Sequence, residues 1–389
     1  MAAAATAGAT RPSRGLPDEI AIWEILVHLP PNALLRCRAV CRAWRRATTT
    51  RDFLLAHHAR QPTLPLLCDS KFIGKDGYSL DIISFDHRAA ADQLRTVARF
   101  GGISYCLVAC CDGLFVLAVN RAHFAISMNR THFAIYNPAT RQYASLSMLS
   151  GLRFLGMYRH PATGEYRLLM HHCQWSSYGL EPGRQVGSYV FSLGSGQPLR
   201  HIGKYLDANE LSNNTSVLFH GCLHWYRMKR GEKSSTIIVF DTIAESFGQM
   251  RPPNVSGCVD LFEMDGMLGM SNLNYSVNIL EVWVLQDYES EVWTFKCQIE
   301  LPFTEIRAQC GYRQSADIWS AVVVPEEGVL LVMVRFNEWL IQVDMDGKLV
   351  ASFRCRGVVP IQFHLKQTLV PHTFFPALEG YVVNHFPFI

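Results

Sequence analysis

Four times between residues 111 and 330 the chain places a glycine turn between apolar strand residues: Cys111-Asp112-Gly113-Leu114-Phe115, Phe219-His220-Gly221-Cys222-Leu223, Met264-Asp265-Gly266-Met267-Leu268 and Glu326-Glu327-Gly328-Val329-Leu330. Each is followed by a strand that leaves through a polar turn: Ile135-Tyr136-Asn137-Pro138, Val239-Phe240-Asp241-Thr242, Val282-Trp283-Val284-Leu285 and Gln342-Val343-Asp344. Residues 166–169 with 189–193 make a further copy around a longer insertion. Successive copies lie roughly 45 to 60 residues apart, near the period of a four-stranded propeller blade. One such unit buries its two sheet faces only against its neighbours. The repeat therefore predicts a propeller or a closely related curved array of antiparallel units.

The rest of this region agrees. From about residue 61 onward, short runs such as SLDIISF, GSYVFSL, STIIVFD and ILEVWVL are rich in β-branched and aromatic residues. Hairpin turns are spelled at Asp112-Gly113, Asp265-Gly266, Asp346-Gly347 and Pro325-Glu326-Glu327-Gly328. The stretch 361–389 either closes the array or packs beneath it.

Before residue 61 the period is helical. Pro17 suits a first helical position, Asp18 and Glu19 favour the positive end of the helix dipole, and Pro30-Pro31 stop the helix. Ile22, Ile25, Leu26 and Leu29 make one apolar stripe, and Ile20, Trp23 and Val27 make a second. A segment of about forty-five residues is too small to bury both. Either another part of the chain or another protein covers the surplus. Leu34, Cys37, Val40, Cys41 and Trp44 then recur at helical spacing among Arg36, Arg38, Arg42, Arg45 and Arg46, predicting one or two short amphipathic helices with a basic outer face.

These residues resemble a known family. Leu16-Pro17-x-Glu19-Ile20, Ile25-Leu26-x-x-Leu29-Pro30, Leu34 and Arg38-x-Val40-Cys41-Arg42-x-Trp44-Arg45 are similar to an F-box over nearly its whole length. The resemblance implies a three-helix unit that docks on a Skp-type adaptor and, through it, a cullin. Its docking residues would be Leu16, Pro17, Ile20, Ile25, Leu26, Leu29, Pro30, Leu34, Val40 and Trp44. The phrases CDGLFVL, IYNPATRQY, GMYRHPATGEYRLL, FHGCLHWYR and IIVFDTIAESF resemble the F-box-associated β domain of large plant families, in which that domain is thought to recognise the protein to be modified. The paired glycines of kelch blades are absent, which leaves the number of blades open.

Composition bounds the alternatives. With 389 residues, 49% hydrophobic and 18% charged, the chain has room for a small module and one large domain. No apolar run approaches the ~18 residues that span a bilayer, so no membrane partner is expected. The twelve cysteines lack scaffold spacing and no secretory signal is read, which predicts the cytosol or nucleus. Residues 1–60 hold nine arginines against four acids, a net of +5, so the remainder carries −2 of the chain's +3. The arginines alternate with core positions instead of forming an arm, which points to a helical face meeting an acidic partner and not to nucleic acid.

Catalytic and metal sites are not expected, and no cofactor is implied. Cys106, Cys110 and Cys111 lack a second paired set, and neighbours in His171-His172-Cys173 diverge on a strand. Target contact is assigned to aromatic and basic residues of two loops: His172, Trp175, Tyr178 and Arg184, and Tyr312 and Arg313. The expectation is a mainly β chain with a small all-α N-terminal module: a disordered tail over 1–14, a three-helix F-box over 15–60 and a propeller-like domain over 61–389. It would act as the non-catalytic, substrate-binding adaptor of a Skp-cullin-F-box ubiquitin ligase. The alternatives are an F-box scaffold that does not degrade its partner, and a propeller enzyme.

Overall fold

A computed structural model describes residues 16–383 apart from 73–76, 90–92, 121–130, 173–184, 204–214, 229–234, 256, 311–318, 327–328, 373 and 378–381. It divides into two compact units, one of residues 1–62 with 367–371 and one of residues 63–366 with 372–389.

The larger unit is a six-bladed propeller. Blade II runs through Ser104–Cys111, Leu114–Asn120, Thr131–Asn137 and Gln142–Leu146, and blade III through Arg153–Arg159, Tyr166–His172, Gly187–Ser192 and Arg200–Gly203. Blade IV comprises Val217–Phe219, Cys222–Met228, Ser235–Asp241 and Ser246–Met250, and blade V Cys258–Met264, Met267–Asn274, Ile279–Asp287 and Val292–Glu300. Blade VI is Trp319–Glu326, Val329–Phe336, Trp339–Val343 and Leu349–Arg354. Blade I is composite, because Thr63–Phe72, Tyr78–Phe85 and Leu94–Gly101 are completed by Val358–Lys366 from the far end of the chain. That strand pairs antiparallel with Thr63–Phe72, from Thr63 opposite Lys366 to Asp69 opposite Val358. It lies beside the first strands of blades VI and II, which closes the ring. Beyond it, Phe374 and Phe375 pack into the seam between blades II and III, and Val382–Val383 adds a fifth strand to blade II.

The glycine phrases join the first and second strands of four blades. Asp112-Gly113, His220-Gly221 and Asp265-Gly266 have positive φ at both residues (47° and 81°, 47° and 73°, 50° and 71°), the twist that a two-residue hairpin needs. Residues 327–328 lie outside the described part, although Glu326 pairs with Val329 across them. The polar phrases join the third and fourth strands. There Asn137, Asp241, Asp287 and Asp344 each accept two backbone N–H bonds through Oδ1. Four residues after the first three of these, Arg141, Glu245 and Glu291 take φ of 58°, 49° and 54°.

Each blade buries both faces, and so its middle strands are mostly apolar while the outer ones, such as Val292–Glu300, are largely exposed. In Tyr166–His172, Leu168 and Met170 face blade II while Leu169 faces blade IV. The six seams each hold an apolar cluster, from Leu66, Phe100 and Tyr136 between blades I and II to Leu67, Met333 and Val358 between VI and I. Polar groups pin some of these seams. Tyr166 donates its hydroxyl to Asp112 at 2.9 Å across blades II and III. Between III and IV, Glu245 accepts from the Tyr158 hydroxyl at 2.8 Å, from Arg167 Nη1 at 2.7 Å and from Arg200 Nη2.

Loss of Glu245 would leave the Tyr158 hydroxyl without its acceptor, while Arg167 keeps Glu165 at 3.1 Å. Glu245→Ala should therefore lower the unfolding free energy by about 1–2 kcal/mol, read as a shift in the urea midpoint. Lys348→Ala, which removes a wholly exposed pair with Asp346 at 3.8 Å, should change it by less than about 0.5 kcal/mol.

Candidate functional site

The helical unit begins with a stretch that is not one regular α-helix. Asp18–Ile20 is α-helical, Ala21–Ile25 is wound in wider π turns, and Leu26–His28 tightens to a 3-10 turn. The Leu26 N–H reaches Ala21 O, five residues back. Five-residue spacing regroups the side chains. Ala21, Ile22, Leu26 and Val27 face inward, while Ile20, Trp23 and Ile25 face out. The two stripes read from a 3.6-residue period are corrected accordingly, with Ile25 joining the outer set and Val27 the inner one.

Three helices follow, Pro31–Cys37, Arg42–Ala47 and Arg51–Arg60. Pro31 occupies the first helical position, where its missing N–H has no partner to lose. Cys41 Sγ accepts from the Trp44 N–H at 3.4 Å, and Thr50 Oγ1 accepts from the Phe53 N–H at 3.4 Å, capping the next two. Phe53 is fully buried, with the Trp23 ring 5.5 Å away and the His57 ring 6.2 Å away.

Side chains then fix the chain ends of these short helices. His57 Nε2 and Gln61 Nε2 both donate to the Leu29 carbonyl, at 2.8 and 3.2 Å, where Pro30 and Pro31 supply no N–H. Arg38 donates to the Thr48 carbonyl at 2.7 Å and to its hydroxyl at 3.2 Å, and Thr48 donates to the Trp44 carbonyl at 2.7 Å. His58 Nδ1 donates to the Gln367 carbonyl at 3.1 Å. Residues 367–371 belong to this unit despite lying some three hundred positions downstream, with Thr368 and Leu369 buried.

What remains outside includes several large apolar side chains together with the exposed Arg36, Arg42, Arg45 and Arg46. Leu16 is 60% exposed, Ile25 49% and Val40 67%, with Pro17, Ile20 and Pro30 also exposed and Leu29 and Trp44 half-buried. Leu26 and Leu34, at 3% and 0%, are interior and hold the helices together instead of offering surface. Trp23 and Leu35 are exposed apolar residues outside the expected docking set. Trp23 was visible in the sequence as part of a stripe. The roles of His57, Gln61 and residues 367–371 had no local signal.

In the propeller, the turns between first and second and between third and fourth strands lie at one end of the blades, because all first strands run the same way. Residues 121–130, 173–184 and 229–234 join second to third strands, and 204–214 and 311–318 join one blade to the next, so they attach at the other end. Of the residues assigned to target contact, Trp175, Tyr178, Arg184, Tyr312 and Arg313 lie outside the described residues. His172 is corrected: it is 5% exposed and its Nδ1 bonds to the Gln185 carbonyl at 3.2 Å. His171 turns the other way, to Ser188 Oγ at 3.2 Å. Burial pushes the Cys110 and Cys111 thiols up, away from reactivity. Among the described residues no three His, Cys, Asp or Glu side chains are grouped to hold a metal ion. No described helix is long and apolar enough to cross a membrane.

Known proteins share this organisation. Residues 14–59 match the family described as F-box-like, and residues 90–373 match the F-box associated beta propeller domain. The chain is 23% identical over 319 residues to the Arabidopsis thaliana "F-box protein At5g49610", covering 73% of this chain and 79% of that one. It is 22% identical over 264 residues to the Arabidopsis thaliana "F-box only protein 8", covering 63% of this chain and 82% of that one. Among solved structures, a chain of a nidogen/laminin complex aligns with 76% of this chain and 97% of its own, at 10% identity and a TM-score of 0.42.

Burial holds the His57 imidazole below its ordinary 6.5; the bond to the Leu29 carbonyl opposes this, and Arg38 and His58 add to it. A depressed folded value means that the unfolded chain takes up the proton first. The helical unit should keep full stability above pH 6.5 and lose it progressively as pH falls below that value. Hydrogen exchange of residues 53–61 checks this: protection should drop on acidification in the native chain and hold in His57→Gln.

Proposed function

The chain belongs to the F-box-associated β-propeller family, with an F-box-like unit ahead of the propeller, and on that premise we propose that it is the substrate receptor of a Skp-cullin-F-box ubiquitin ligase. The observation that carries the proposal is the apolar surface of Leu16, Pro17, Ile20, Ile25, Pro30 and Val40, left uncovered by a unit whose own core is already filled by Leu26, Leu34 and Phe53.

Large apolar side chains held outside a filled core gain most when a partner removes them from water, at about 25 cal/mol per Å² of surface. The exposed arginines of the same unit, Arg36, Arg42, Arg45 and Arg46, would match an acidic adaptor electrostatically, which favours encounter and correct orientation. Leu29 and Trp44, half-buried, contribute at the margin, and Trp23 and Leu35 extend the patch beyond the residues that the F-box resemblance names.

The propeller supplies recognition. Recognition is assigned to the longer connections of the sequence, among them residues 173–184 and 311–318, with Trp175, Tyr178, Arg184, Tyr312 and Arg313. Both families are typically non-catalytic, and the chain needs no nucleophile of its own. Holding a target lysine near a charged conjugating enzyme raises its effective concentration, which is sufficient to accelerate transfer. The protein would work in the cytosol or nucleus, with its adaptor.

Ile20→Glu combined with Ile25→Glu puts two charges in the centre of the proposed interface without entering the core. Binding to a Skp-type adaptor should weaken by about 100-fold or more, as expected when anchor residues are lost. Isothermal titration with purified adaptor measures it, and an unchanged affinity sinks the receptor reading. In cells the same variant should lengthen the half-life of proteins captured by the propeller.

A further inference from the structure

The seam between blades V and VI changes character along its length. Near the tight-turn end it is filled by Met264, Phe262, Val323 and Val332. Toward the other end the same face of the strand Cys258–Met264 presents Asp260 and then Cys258, and the facing blade VI strand starts at Trp319. Asp260 is half-buried, Cys258 exposed and Trp319 half-buried. Tyr275, in the turn after Met267–Asn274, sets its ring 4.5 Å from that of Trp319 at an interplanar angle of 63°, and it is 44% exposed. Beside it Val277 is 52% exposed.

The Tyr275 and Trp319 rings thus meet at an angle, and the Asp260 carboxylate lies near enough to Tyr275 to act on it electrostatically. Gln362, on the innermost strand of blade I, hydrogen-bonds to Asp260 from beyond blade VI. Cys258 bonds to the Tyr275 hydroxyl and helps to set the ring. On the far side of Trp319, Phe303 stacks edge-on at 4.4 Å, and the Arg307 guanidinium lies 6.0 Å over the Phe303 ring. The cluster therefore already holds one cation on an aromatic face.

We propose that this end of the blade V–VI seam receives a lysine or arginine side chain from the bound protein, its cation lying against the exposed Tyr275 ring, which Trp319 holds in place, and paired with Asp260. The proposal rests on the receptor reading above and names the chemistry that the propeller selects. Three features support it. The carboxylate has already left much of its water, so an incoming cation meets a partner whose desolvation is largely complete. The electron-rich faces of Trp and Tyr attract cations, and more strongly where water is thin. Burial also raises the Asp260 carboxyl to about 6, and the bond from Gln362 only partly offsets this. Burial outweighs the Gln362 amide at this carboxylate, and an incoming cation would supply further compensation.

The test uses the full chain and fluorescein-labelled short peptides with Gly/Ser flanks and a fixed central lysine, arginine, norleucine or glutamate, followed by anisotropy. Lysine and arginine peptides should bind about tenfold tighter than norleucine, and glutamate should bind no better than norleucine. Asp260→Asn, which keeps the shape and removes the charge, should bring lysine and norleucine within about twofold of each other. Tyr275→Ala should do the same, and both variants should stay folded at the assay temperature, shown by a cooperative urea transition well above it even where the midpoint shifts. Equal binding of lysine and norleucine to the native chain overturns the proposal, and so does a preference that survives Asp260→Asn. Proximity labelling with the proteasome blocked separates this from the receptor reading. If Asp260→Asn captures and turns over the same partners as the native chain, the cation site fails and the receptor stands. If the native chain turns over none of its partners, the receptor reading fails whatever the peptides do.

Discussion

The pairing of Val358–Lys366 with Thr63–Phe72 brings the last propeller strand of the ring back to the first, and the propeller depends on it. Every blade buries both faces, so an open ring would leave two full faces of Val, Leu, Met and Phe in water, those that make the cluster of Leu67, Phe85, Met333, Leu340 and Val358. Closure brings together residues about three hundred apart, at a loop-closure cost that grows only slowly with length. The strand is also inserted beside its neighbours in blades VI and II, so one pairing completes a blade and secures two seams.

Closure has a second result. The chain that has finished blade I at Lys366 next supplies Gln367–Pro371, whose Thr368 and Leu369 are buried in the helical unit. That unit is therefore built from both ends of the sequence. Its helices are short, six to ten residues in the later pair, and a few side-chain bonds to backbone carbonyls at Leu29, Thr48 and Gln367 substitute for the length that would otherwise stabilise them. A filled interior with an apolar exterior is the physical basis for reading the unit as a docking surface.

The division of labour follows from where polar groups are placed. At one end of the propeller Asp and Asn side chains are consumed in turns, each accepting the backbone N–H groups that would otherwise be unpaired. Glu245 and Asp112 are likewise committed to holding neighbouring blades. At the other end the V–VI seam leaves a carboxylate and two aromatic rings within reach of solvent, and a partner can complete what the fold does not.

Much of this was legible from residues alone. The Gly phrases marked the first hairpin of four blades because only a positive-φ pair fits a two-residue turn, and the polar phrases marked the third because an Asx side chain is needed to satisfy its N–H groups. The F-box spelling was legible for the same reason: capping, proline stops and apolar spacing are local. What the sequence could not determine was which side chains face out. The π turns at Ala21–Ile25 replaced a 3.6-residue step with a longer one and exchanged Ile25 with Val27, and the turn of His172 toward Gln185 withdrew it from the surface. Nor could it announce that Val358–Lys366 belongs beside Thr63, or that Tyr275 and Trp319 meet near Asp260. Turn chemistry and strand character are set by neighbours along the chain, so the sequence determined the elements and their repeat. Seams, closure and exposure arise between residues that meet only when sheets stack, and these the tertiary structure alone decided.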